Sequence, residues 1–222
     1  FSQCHSLVSI ESPSSQSVEI VPNSQSMPFV IPQGVMSIEE NAFSMTESKS
    51  IFIPSSVHSI GTYALSDFEA IHVDPNNPCY TSVGGVLFSK SREDLITYPR
   101  FKQNPHYSVP QGVKTLLPNL FCQCNYLRSL IIPSSVRVIC RGALSRMDIL
   151  TSIAIMSKEC NLVHSQLKTN ANLKSISLPN IKERTTIMQI KKLLAHLNLE
   201  ITSLEMPKQF EVQILQLVSF LS

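Results

Sequence analysis

The sequence is poor in charge, in glycine and in long apolar runs. Charged residues make up 15% of its 222 positions, against about 25% in an average soluble protein. Surface polarity must then come from uncharged groups, and serine supplies it with 33 residues. A net charge of +2 and a pI near 8.2 are too weakly basic for a nucleic-acid footprint, which asks for a domain pI above about 9 with clustered Lys and Arg. No nucleic-acid partner is expected. No apolar run reaches the roughly 18 residues of a membrane-spanning helix, so no transmembrane segment is expected either. Six Gly stand against 14 Pro. Proline in that quantity punctuates elements and argues against long helices. The Asn-x-Ser/Thr sequon is absent as well, so these residues offer no site for an N-glycan.

Signatures of chemistry are also missing. His5, His58, His72, His106, His164 and His196 show no H-x-x-x-H spacing and no G-x-S-x-G neighbour. Gly84-Gly85 lacks the frame of a phosphate-binding loop. Cys122-x-Cys124 has no second pair at metal spacing. Arg92-Glu93-Asp94 and Lys182-Glu183-Arg184 read as a solvated turn and a helix start. The chain is therefore expected to be no enzyme and to carry no cofactor or metal. The cysteines read as small packing residues, with a disulfide among Cys122, Cys124 and Cys140 as the alternative.

What is present is a repeat. Ile31-Pro32-Gln33-Gly34-Val35, Ile53-Pro54-Ser55-Ser56-Val57, Val109-Pro110-Gln111-Gly112-Val113 and Ile132-Pro133-Ser134-Ser135-Val136 share one frame, and Leu178-Pro179 begins it again. Pro32 and Pro54 are 22 residues apart, Pro110 and Pro133 are 23 apart, and Pro179 lies two such periods beyond Pro133. The intervening anchor falls on Met156, which has lost the proline. An apolar residue follows each anchor by six: Ile38, Ile60, Leu116, Ile139 and Leu162. Ala-Phe, Ala-Leu or Leu-Phe pairs follow later, as in Ala42-Phe43 and Ala64-Leu65. An L-x-x-I-x-I frame precedes the anchors, as Leu127, Leu130, Ile132 and as Leu150, Ile153, Ile155. Residues two apart share one side of a strand, and proline then ends the ladder. One such unit cannot bury its apolar side alone, whereas stacked units bury a continuous core.

The frame I-P-x-x-V-x-x-I-x-x-x-A-F-x-x-C-x-x-L-x-x-I-x-I-P resembles that of BspA-like leucine-rich repeats. Phe1 to Ile10 and Phe121 to Leu127 match its F-x-x-C-x-x-L part. The chain is thus expected to begin in mid-repeat and to be part of a longer one. Asp74 to Lys90, with Asn76-Asn77-Pro78 and Gly84-Gly85-Val86-Leu87-Phe88, is similar to an inserted hairpin module of the same family. The resemblance departs at Met45 and Ser48, at Cys140 in place of the usual Gly, and beyond residue 180.

The expected architecture is a single leucine-rich-repeat solenoid over 1–222. Short strands stack in a parallel sheet against an irregular convex side. Repeats span about 1–73 and 109–180, a β-hairpin insert spans 74–108, and a divergent or capping repeat spans 181–222. Ile187, Ile190, Leu193, Leu194 and Leu197 have helical spacing, so some helix is expected near the C-terminus. Such stacked strand faces are extended binding surfaces, and the candidate contacts are Lys49, Phe52, Glu69, His72, Arg128, Ile131 and Lys174. The stripe of Ser9, Ser50, Ser129, Ser152 and Ser175 reads as structural, keeping the ladder flat and soluble. The resemblance implies a non-catalytic module for adhesion or antigen display. Its partner is then a host, matrix or other cell-surface protein, with carbohydrate as a possible ligand. That reading places the chain at the cell surface or secreted. The alternative is a cytoplasmic scaffold.

Overall fold

The computed structural model describes residues 28–157, 167 and 169–177. The helix expected near the C-terminus and the divergent or capping repeat over 181–222 lie outside them. The described residues fall into two compact units, one of residues up to 103 with 124–126, the other of 104–123 with those from 127 onward.

The first unit runs β1 (Phe29–Val30), β2 (Ser37–Ile38), β3 (Ser50–Ile53), β4 (Ser59–Ile60), β5 (Ala70–Val73), β6 (Tyr80–Val83), β7 (Val86–Ser89) and β8 (Asp94–Thr97). Strands β1, β3 and β5 pair in parallel, Phe29 opposite Ile51 and Ile51 opposite Ile71. The I-x-I alternation sets their faces: Ile51, Ile53 and Ile71 are fully buried, while Phe52 and His72 look outward. The Pro-x-x-Val anchor is a closed turn, in which the Val35 and Val57 N–H groups donate to the Pro32 and Pro54 carbonyls at 3.3 and 3.4 Å. Strands β2 and β4 form a second parallel ladder after each anchor. The chain then turns through left-handed backbone at Asn41, Met45 and Tyr63, with φ of 58°, 62° and 58°. Phe29, Phe43 and Phe68 stack edge-on beneath it, at centroid distances of 5.2 and 5.9 Å.

Strands β6 and β7 pair antiparallel, and β8 lies antiparallel to β7. Gly84 and Gly85 make the tight turn, both with positive φ (57° and 78°), as a two-residue hairpin connection requires. Leu87 and Phe88 of β7 and Leu95 of β8 are buried. This segment occupies the free edge of β5. The Ile71 N–H donates to the Gly85 carbonyl at 3.0 Å, and the Val73 N–H donates to Ser82 Oγ at 3.1 Å. Exposed ladder edges invite unwanted pairing, and here the edge is filled by the chain itself.

The second unit runs β9 (His106–Ser108), β10 (Thr115–Leu116), β11 (Ser129–Ile132), β12 (Val138–Ile139), β13 (Ser152–Ile155) and β14 (Ser175–Ser177). Its strand face is the parallel ladder β9-β11-β13-β14. The same anchor turns recur, with Val113 and Val136 donating to Pro110 and Pro133 at 3.3 Å. Where the repeat has lost its proline, Met156 regains an N–H and donates it to the Ile132 carbonyl at 2.8 Å. Proline at that position has no N–H to give.

Polar side chains join successive coils. Ser56 Oγ accepts the Gly34 N–H at 3.0 Å and donates to the Val35 carbonyl at 2.8 Å. Ser135 accepts the Gly112 N–H at 3.0 Å in the second unit. Ser56 and Ser135 are therefore mortar between repeats. Asn77 and Asn170 are fully buried and hydrogen-bonded; Asn170 accepts the Met147 N–H and donates to the Leu144 carbonyl, each at 2.8 Å. Asn77 Nδ2 donates to the Pro54 and Val57 carbonyls, while its Oδ1 accepts the Cys79 and Tyr80 N–H groups. Asp67 is buried too; it accepts the Met45 N–H at 2.9 Å and pairs with Arg100 at 2.6 Å.

Candidate binding surface

On the first unit the candidate residues form two short rows. Phe52 lies in register between Val30 of β1 and His72 of β5. Val30 is 59% exposed, His72 is exposed and Phe52 half-buried. At the strand entrances Lys49 Nζ sits 3.5 Å from the Glu69 carboxylate, and Gln103 Nε2 approaches the same carboxylate at 3.4 Å. An exposed pair of this kind contributes little to stability, but it neutralises that row. The hairpin turn flanks this face. Lys102 Nζ donates to the Gly84 carbonyl at 2.6 Å, and burial lowers its pKa from the ordinary lysine value.

On the second unit Arg128, Thr151 and Lys174 occupy successive strand entrances. The Thr151 N–H donates to the Arg128 carbonyl and the Lys174 N–H to the Thr151 carbonyl, each at 2.8 Å. Arg128 and Lys174 are exposed. Beyond them run two outward rows in strict register. One is His106, Ser129, Ser152 and Ser175; the other is Ser108, Ile131, Ala154 and Ser177. Ile131 is 43% exposed. Tyr107 points inward against Phe121, at 6.1 Å between rings, and burial raises its phenol pKa well above the usual value.

The structure thus groups Lys49, Phe52, Glu69 and His72 on one ladder and Arg128, Ile131 and Lys174 on another. Sequence reasoning missed Val30, His106 and Ser108. The period was the available signal: Val30 lies 22 residues before Phe52, and His106 lies 23 before Ser129. In both strands the I-x-I frame is degraded, with Phe29 and Tyr107 in place of Ile51 and Leu130. Among the described residues no group of three His, Cys, Asp or Glu is placed to hold a metal ion. No helix among them is long and apolar enough to cross a membrane.

Short parallel strands at a 22–23-residue period, each closed by an anchored turn, define the leucine-rich-repeat class of β-solenoid. The model of the BspA type leucine rich repeat region matches residues 23–101 and 96–214, with six copies, and the chain belongs to that family. Repeats of this class generally mediate protein interactions. Solved structures with the same fold include a leucine rich cell surface protein from Faecalibacterium prausnitzii, at 28% identity and a TM-score of 0.56, covering 71% of this chain and 49% of that one. The pneumococcal vaccine antigen PcpA is similar over 66% of this chain and 43% of its own, at 23% identity and a TM-score of 0.54. A leucine-rich repeat protein from Eubacterium ventriosum aligns at 22% identity and a TM-score of 0.52, over 71% and 50% of the two chains. This chain therefore spans half or less of the length of each. No curated protein sequence matches it significantly.

Proposed function

We propose that the chain is a non-catalytic, protein-binding module of a cell-surface or secreted protein, an adhesion or antigen type of repeat that engages a host, matrix or other cell-surface protein. Residues 1–222 then act as one repeat array, with 74–108 as an insert and 181–222 as a divergent or capping repeat. The observation that carries the reading is the exposed outer face of the strands. Val30 and Phe52 on one ladder and Ile131 on the other are apolar groups that the core does not use, each held on a ladder whose inward Ile and Leu residues are buried. Rigid presentation lowers the ordering cost of association. The 28% identical cell-surface relative supports the location. Carbohydrate is a weaker fit, since Phe52 is the one aromatic group among the outward strand residues described here.

Brief protease treatment of intact source cells is expected to release peptides from the Asn104 to Lys114 segment. Intact recovery of the protein in the lysate, with no released peptide, would move it to a cytosolic scaffold role. The purified chain is expected to bind immobilised matrix protein, and replacing Phe52 and Ile131 together by Ala should weaken that binding by about tenfold, as for interface anchors generally. Unchanged binding would sink the strand-face assignment.

A further inference from the structure

The charges of the chain are divided between its two units. Among the described residues, the second unit holds six Lys or Arg (Lys114, Arg128, Arg137, Arg141, Arg146, Lys174) and a single acidic residue, Asp148. The first unit holds eight Asp or Glu against five Lys or Arg. The whole-chain value of +2 conceals this.

Resting on the protein-binding reading above, we infer that the strand face of the second unit receives an acidic, extended segment of a partner protein. Four observations combine. Arg128 and Lys174 are exposed at strand entrances two strands apart, which is roughly 10 Å at the ordinary spacing of strands. The outward rows between and beyond them contain no carboxylate; Asp148 belongs to the turn before β13. Hydroxyls line the interval, from Thr151, Ser152 and Ser175, and can bond to a peptide backbone. Ile131, 43% exposed, adds an apolar contact beside them. A peptide in the extended polyproline II conformation has three residues per turn and rises about 3.1 Å per residue, so carboxylates three residues apart lie on one side, about 9 Å from each other, and match the two cations.

A nucleic acid or sulfated polysaccharide fits less well. Single-stranded nucleic acids use aromatic stacking platforms, and the outward residues of β9, β11, β13 and β14 include no Phe, Tyr or Trp and one imidazole, His106, too few rings for a platform. Polyanions also need a denser run of cations than two per face.

The test uses the whole chain and a fluorescein-labelled dodecapeptide with Glu at every third position among Ser, Ala and Leu, titrated in low-salt buffer. Binding is expected, and it should weaken about tenfold or more in the R128E/K174E variant, since truncating or reversing interfacial charge pairs has effects of that size. The charge-matched variant R137E/R141E, whose exposed cations lie off the strand face, should bind as the parent does. Both variants are surface substitutions, and an unchanged thermal midpoint confirms their folding. Equal weakening in the two variants would overturn the inference, since general basicity would then explain the binding. A sulfated polysaccharide that binds through Arg128 and Lys174 while the peptide does not would overturn it as well. Preference for a Glu-free, Leu-bearing control peptide would overturn it too, yet leave the protein-binding reading standing.

Discussion

Replacing Gly61 by Ala is expected to lower the thermal midpoint of the first unit by roughly 12 °C or more, or to prevent its folding. The reason is steric and lies between coils. A Cβ at position 61 would stand 2.4 Å from the Glu40 nitrogen, 2.7 Å from the Glu39 carbonyl carbon and 2.8 Å from the Glu40 Cα. All three are backbone atoms of the preceding coil, so no rotamer change relieves the clash. The Gly61 N–H also donates to the Ile38 carbonyl at 2.8 Å. Moving the coils apart would stretch that bond and unpack Ile38, which is 2% exposed. Overpacking of a close-packed site commonly costs about 1–3 kcal/mol, and more where backbone must move. Each kcal/mol shifts the midpoint of a domain this size by about 4–8 °C. A circular-dichroism melt reads the change directly; a shift of only a degree or two would show that the coils separate freely there. The corresponding residue of the second unit is Cys140, whose N–H donates to the Leu116 carbonyl at 2.9 Å. The need for glycine is thus a property of one contact and not of the repeat.

The second large effect is expected for Asn77→Ala. The carboxamide is fully buried and makes four hydrogen bonds at 2.8 to 2.9 Å, donating to the Pro54 and Val57 carbonyls that open and close one anchor turn and accepting from the Cys79 and Tyr80 N–H groups. Alanine leaves two carbonyls and two N–H groups without it. A buried backbone group stranded in this way costs about 1–3 kcal/mol, and water entering the vacated space would recover part of that. A net loss of roughly 3 kcal/mol in urea unfolding is the expected result, with the slope unchanged because the exposed surface is the same. A loss below about 1 kcal/mol would show that the turn and the strand entry hold without the side chain. The anchor turn and the start of β6 meet at this one residue, so the variant should also loosen the hairpin that covers β5.

These effects mark the limits of reading the sequence alone. The period, the inward isoleucines and the Pro-x-x-Val turns follow from residue spacing, because strand alternation and the missing N–H of proline act within a few residues. By the same logic the candidate contacts Phe52, His72 and Ile131 fall on strands, and Lys49, Glu69, Arg128 and Lys174 fall at their entrances. What the frame could not convey is which atoms of one coil reach the next. Ser55-Ser56 stands in the frame only as the two residues between Pro54 and Val57, yet Ser56 bonds to both Gly34 and Val35. Asn77 stands in the sequence only as part of the Asn76-Asn77-Pro78 stretch of the insert, yet it is a buried hub.

The amino-acid order by itself determined a stack of short parallel strands, since period, alternation and breaker residues are local and recur in every copy. Only the tertiary structure decided that the strand face is two ladders, β1-β3-β5 and β9-β11-β13-β14. The Ile71 and Val73 N–H groups had to find acceptors at the edge of β5, and they found them in Gly85 and Ser82. Burying a donor unpaired is costly, and which segment satisfies it depends on where the chain returns in space.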